Sequence, residues 1–221
     1  MFDYDYRPGI LERFVTKFED NRTDVMYRLI RTKKGVFVDL ACGDGQFLNM
    51  VKGRFKALYG FDISRSRINN AKKKFKDYKK VKLAIKDLDQ GVPLMNSSVD
   101  TVVCEASLAY FIRPDLLIGE VSRVLKPGGE FIVQIANYAY LPRRLALLFG
   151  KLPKTTPVKG FGDGGMIHHF TYASLKELLG INSFKITNKE NSGILAKYRK
   201  IWQELLASDI IYRSVKIKKI N

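Results

Sequence analysis

Val36-Phe37-Val38-Asp39-Leu40-Ala41-Cys42-Gly43-Asp44-Gly45 is the stretch that decides the reading of this chain. An apolar run closes on an acid and passes straight into a glycine-punctuated turn. Gln46 to Val51 then begin a helix, and Phe61-Asp62 follow one strand later. A strand buried on both faces reads as continuous Val, Ile, Leu and Phe. Glycines behind such a strand let the backbone approach a ligand and turn sharply into a helix. The pattern places a nucleotide-type site at the carboxyl edge of a doubly wound sheet.

The details narrow the ligand. A dinucleotide fingerprint needs G-x-G-x-x-G or its Ala-ended form. Counted from Gly43 and Gly45, the last position is Leu48, too bulky for that close helix–strand packing. No G-x-x-x-x-G-K-[S/T] occurs, so a P-loop is excluded as well. An acid, two glycines and a second acid remain, a set suited to a ligand with a ribose and a positive charge.

At this point the chain resembles the class I S-adenosylmethionine-dependent methyltransferases. Asp39 to Gly45 is similar to that family's first motif, D-x-G-x-G-x-G, with Ala41 at the first glycine as a small-for-small exchange. Gly60-Phe61-Asp62-Ile63-Ser64 resembles the second motif and Ala84-Ile85-Lys86-Asp87-Leu88 the third. Val99 to Cys104 matches the fourth strand, and Leu116 to Ile135 the helix, turn and fifth strand that follow. The resemblance covers residues 35–135 in order. It implies S-adenosylmethionine as cofactor, with Asp62 on the ribose hydroxyls and Gly43 and Gly45 close to the ligand. By the same resemblance Asp39 helps place the methionine amino group. Asp87 meets the adenine amino group, and Ile63 and Leu88 sandwich the ring. Glu105, at the end of the fourth strand, joins the cofactor-binding set. Opposite charge in Asp39 and Asp62 also suits a cationic ligand.

The chain has 221 residues, the size of one domain, and can bury a full core without staples. Two cysteines are too few for a disulfide framework, so Cys42 and Cys104 read as reduced thiols. No apolar run approaches the ~20 residues that span a bilayer, and no charged-then-apolar leader opens the sequence. Cytoplasmic is therefore the default location. The net charge of +17 is uneven, for residues 136–221 hold 15 Lys/Arg against 5 Asp/Glu. Such a basic face attracts phosphates on nucleic acid or lipid, although a solvated surface has the same composition.

The spacing predicts a single α/β domain in four parts. Residues 1–34 form a helical preface, with Ile10, Phe14, Phe18, Val25, Met26, Leu29 and Ile30 at helical spacing and Asp20 or Asn21 as a cap. Residues 35–135 form the cofactor-binding core, with strands at 36–40, 57–61, 81–85, 99–104 and 130–135. Helices fall at 45–52, 65–76 and 115–125. Right-handed crossovers then give a doubly wound, Rossmann-like sheet with helices on both faces. The lysine run 72–80 reads as a solvated helix end. Residues 136–170 form a substrate lid containing the Leu141–Phe149 apolar stretch and the glycine-rich Gly160 to Gly165 loop. Residues 171–221 supply a helix from Tyr172 to Leu179 capped by Thr171, a basic amphipathic piece from Ala196 to Leu206, and two closing strands. The C-terminal strand is expected to run antiparallel.

For chemistry, an oxygen nucleophile needs a base within hydrogen-bond reach. Relatives show an L-E-H-I-like string after the fourth strand, whereas this chain has Leu108-Ala109-Tyr110-Phe111. The candidates are therefore His168, His169, Glu105 and Tyr110, histidine being favoured because its free pKa lies near neutrality. Adjacent histidines on an extended segment point to opposite sides and cannot chelate one ion together; no metal is expected. The leading expectation is O-methylation of a small-molecule, sugar or lipid-linked acceptor. The alternatives are an RNA-directed enzyme and a catalytically silent cofactor-binding protein. Against RNA, the sequence has neither an N/D-P-P-Y string nor a Pro-Cys pair after the fourth strand. The Leu141–Phe149 stretch reads first as lid or core and second as an element able to lie on anionic lipid.

Overall fold

The computed structural model describes residues 19–153, 165–194, 196 and 198–217. The expected helix around Ile10, Phe14 and Phe18 lies outside those residues, as does most of the glycine-rich lid loop.

Seven strands form one sheet: β1 (Val36–Leu40), β2 (Ala57–Asp62), β3 (Val81–Ile85), β4 (Val99–Glu105), β5 (Leu125–Ala136), β6 (Phe184–Glu190) and β7 (Asp209–Lys216). Their spatial order is β3-β2-β1-β4-β5-β7-β6, and only β7 runs against its neighbours. The expected antiparallel C-terminal strand is present, inserted between β5 and β6. The order reverses between β1 and β4, and ligands of open α/β sheets bind at the carboxyl ends beside such a switch point.

The helices are α1 (Arg22–Leu29), α2 (Gln46–Val51), α3 (Arg65–Lys74), α4 (Pro114–Val124), α5 (Leu141–Leu148), α6 (Tyr172–Ile181) and α7 (Gln203–Leu206). Local chemistry explains their ends. Asn21 caps α1 by accepting from the Thr23 amide, Ser64 caps α3, and Thr171 with Ser174 forms a capping box on α6. Lys72, Lys73 and Lys74 close the last turn of α3. The amphipathic piece expected at 196–206 is not one helix: 3₁₀ turns over Tyr198–Trp202 precede the short α7.

Alternation along the strands builds two cores. Val38, Leu40, Val102 and Val133 face α4 and α6, while Phe37, Leu58, Val103 and Ile132 face α1, α2 and α3. Gly60 lets the layers close, because a Cβ there would stand 2.8 Å from Cys42 Sγ and 2.7 Å from Leu48 Cδ1. The sheet edge away from the glycine turn is pinned by Glu130. Its buried carboxylate accepts from the Arg31 and Thr32 amides and from Arg213 Nε at 2.8 Å.

Candidate active site

Asp39 lies in register with Gly60 of β2 and Val103 of β4, one residue before the end of β1. The chain then turns through three left-handed residues, Ala41 at φ 57°, Gly43 at φ 54° and Gly45 at φ 78°. The exchange at Ala41 is therefore more than a change of size. An L-residue in that region costs roughly 1–2 kcal/mol, so the turn stores strain that glycine would not. Gly45 has a second constraint, because a Cβ there would meet Phe75 Cε2 at 2.6 Å.

Asp62 organises this turn. One carboxylate oxygen accepts from the Gly43 amide and the other from the Ser64 amide, both at 2.8 Å. Each oxygen keeps a second lone pair for the ribose hydroxyls expected there. Lys74 braces the turn from the far side by donating to the Asp44 carbonyl at 2.9 Å.

Three acids, Asp39, Asp62 and Glu105, gather at the carboxyl ends of β1, β2 and β4. Burial raises the Asp39 carboxyl well above the usual carboxylate range, and the negative charges of Glu105 and Asp62 push it further. A cationic group bound beside it would offset this repulsion, so the acid set fits the ammonium and sulfonium charges of S-adenosylmethionine. Both cysteines are buried and free. Burial first, then Asp39 and Asp62, drives the Cys42 thiol upward, while burial lifts Cys104 to about 12. Both therefore stay protonated thiols near neutrality.

On the expected adenine side, Ile63 stands 71% exposed at the end of β2. Asp87 caps a short 3₁₀ turn and accepts from the Asp89 amide at 3.1 Å. Leu88, the other residue expected beside the ring, is 4% exposed and packs in the core between the sheet and α4.

The family described as Methyltransferase domain matches residues 38–133. Residues 38–133 are thus similar to methyltransferase domains, the family whose motifs they resemble. Among curated relatives, residues of this chain are 25% identical to a malonyl-[acyl-carrier protein] O-methyltransferase of Marinomonas sp. over 66% of the chain and 50% of the relative. A trans-aconitate 2-methyltransferase of Acidovorax sp. is 26% identical over 61% of the chain and 51% of the relative. The chain thus spans about half the length of these two relatives. In fold, it is similar to an S-adenosylmethionine-dependent methyltransferase from Mesorhizobium loti, with a TM-score of 0.67 over 87% of this chain and 96% of that one, at 17% identity.

The structure places the four candidate bases on two segments, with Glu105 at the end of β4 and Tyr110 after it, and His168 and His169 before α6. Glu105 Oε1 accepts from Arg22 Nε and Thr23 Oγ1, both at 2.8 Å, so this carboxylate docks α1 onto the sheet. Tyr110 ends a 3₁₀ turn and is partly exposed. The His168 amide donates to Ala109 O of that same turn, and its Nε2 lies 3.2 Å from Ile112 O. The His169 ring stands edge-on against Tyr138, with centroids 4.1 Å apart. The two histidines therefore face different partners, as their adjacency implied. Sequence reasoning missed Arg22, Thr23 and Tyr138. The first two lie about 80 positions from Glu105. Tyr138 carried a weak signal as an aromatic just beyond the fifth strand.

Proposed function

We propose that this protein transfers a methyl group from S-adenosylmethionine to an oxygen of a small acidic acceptor. The observation that carries the reading is the division of charge. Asp39, Asp62 and Glu105 meet at the carboxyl ends of their strands, whereas residues 136–221 hold 15 Lys/Arg against 5 Asp/Glu. A cationic cofactor and an anionic acceptor match that division.

Bound cofactor supplies a methyl group on a sulfonium, already activated for in-line displacement. Asp62, through Gly43, would hold the turn that positions the ligand, and Asp39 would face its positive end. Alignment of this kind is worth ~7–11 kcal/mol of barrier. A carboxylate or phosphate oxygen carries no proton near neutrality and needs no base. That suits a site in which Glu105 is held by Arg22 and His168 Nε2 lies against the Ile112 carbonyl. The names of the two curated relatives, which act on malonyl-acyl-carrier protein and trans-aconitate, point the same way.

The test is label transfer from methyl-labelled cofactor to a panel of dicarboxylates, phosphorylated sugars, neutral alcohols and RNA. Label in an alkali-labile ester, at a rate nearly flat from about pH 6 to 8, is expected for a carboxylate acceptor. Labelling only of neutral alcohols or RNA would overturn the acidic acceptor. Tight cofactor binding with no transfer to any acceptor would favour the silent cofactor-binding alternative.

A further inference from the structure

α5 carries apolar side chains, yet none of its residues is buried among the described residues. At its C-terminal end Leu148 and Phe149 are 76% and 74% exposed, and Leu152 is 72% exposed after the left-handed Gly150. A second exposed apolar piece lies on the Tyr198–Trp202 turn, where Ile201 is 91% and Trp202 58% exposed. Single exposed apolar residues are ordinary, but clustered ones mark an interaction surface.

The two pieces are joined. Tyr140, at the start of α5, has the Arg143 guanidinium 5.6 Å from its ring centroid and the Arg199 guanidinium, from the second piece, at 5.8 Å. Arg143 also donates to the carbonyls of Asn137 and Ser208, anchoring α5 to the ends of β5 and β7. The patch is thus held on the fold by Arg143, while Arg144 and Lys151 stand exposed beside its apolar side chains.

We propose that this patch docks on an anionic lipid surface. The leucines and Phe149 would enter the acyl boundary, Trp202 and Tyr198 would lie at headgroup depth, and Arg144 and Lys151 would meet lipid phosphates. Charge selects this occupant over a second copy, because two chains of +17 each repel while an anionic bilayer attracts both. Among the described residues no helix is long and apolar enough to cross a membrane, so the contact is peripheral.

Trp202 is the only tryptophan in the chain and reports on the patch directly. With phosphatidylglycerol-rich vesicles at low salt, its emission is expected to shift to the blue and to be quenched by lipids brominated near the headgroup. The protein should float with those vesicles and not with pure phosphatidylcholine. Leu148→Glu/Phe149→Glu and Lys151→Glu proteins, checked for unchanged thermal melting, should bind ~10-fold or more weakly, as should wild type in about 0.5 M salt, where the Debye length falls to roughly 4 Å. Unchanged Trp202 emission with anionic vesicles would overturn the proposal, and so would full binding by the double variant. A blue shift that appears on concentrating the protein without lipid would assign the patch to a second copy instead.

Discussion

The Asp62 carboxylate accepts the Gly43 amide at 2.8 Å, so the acid at the end of one strand sets the shape of the glycine turn on its neighbour. This contact makes Asp62 a positioning residue as well as a ligand-binding one. Removing the carboxylate should do two things at once. Asp62→Ala leaves the Gly43 and Ser64 amides without an acceptor, at about 1–3 kcal/mol each where they stay buried. S-adenosylhomocysteine binding should fall ~100-fold or more, the effect of losing one or two charge-assisted hydrogen bonds. Calorimetric titration with a parallel melt would separate the effects. An Asp62→Ala protein that binds like wild type would remove Asp62 from the site.

Asp39 should show the cost of keeping an acid in this place. Burial, Glu105 and Asp62 together raise its folded pKa above the ordinary value of 3.8. The folded state therefore holds that proton more tightly than the unfolded chain. Stability is fullest below the ordinary pKa and declines as pH rises towards the folded value. Asp39→Asn removes this decline, so it should match wild type in acid and melt ~2–4 °C higher near pH 8, about 1 kcal/mol for a chain of this size. Cofactor affinity should be lost in the same variant. In wild type, at a pH where Asp39 still holds its proton, binding of the cation should release it, measurable as a buffer-dependent calorimetric enthalpy. Equal melting temperatures across the whole pH range would contradict this electrostatic account.

The turn offers a pair of reciprocal exchanges. Ala41 and Gly45 both adopt left-handed conformations, yet only one of them is glycine. Ala41→Gly relieves backbone strain but enlarges the unfolded ensemble, for a net gain of roughly 0.5 kcal/mol. Gly45→Ala adds the same strain and drives a methyl group towards Phe75, with an expected loss of about 2–3 kcal/mol and of cofactor binding. Chemical denaturation of both variants reads the sign of each change, and like signs would rule out the conformational argument.

Much of this was readable from the sequence because the deciding features are local. β1 is buried on both faces and ends at a turn that needs glycine, so composition alone marks it. α6 announces its start through Thr171 and its capping partner. Other features depend on pairing across the fold. Nothing near residues 209–216 says that β7 enters the sheet between β5 and β6. Alanine gives no sign of a left-handed backbone at position 41. Leu88 follows Asp87 as the family pattern implies, but which way its side chain turns is set by the core against α4. Apolar spacing at Leu145, Leu148 and Phe149 suggests packing, whereas the structure leaves these side chains exposed.

At the opposite end of the sheet, Glu130 should control acid stability. Burial alone would raise its pKa, but the hydrogen bonds from Thr32, Arg31 and Arg213 outweigh burial and hold the carboxyl below its usual value of 4.5. A depressed carboxyl contributes stability above the unfolded pKa and loses it as pH falls through the folded one. Glu130→Gln keeps the shape but loses the charge facing Arg213, whose side chain is itself largely buried. Breaking one side of such a pair costs about 3–5 kcal/mol. Urea midpoints at neutral pH should therefore fall clearly in the variant. The gap to wild type should then narrow below the ordinary glutamate value of 4.5, as wild type becomes protonated too. A gap that stays constant down to acid pH would mean that Glu130 acts through shape rather than charge.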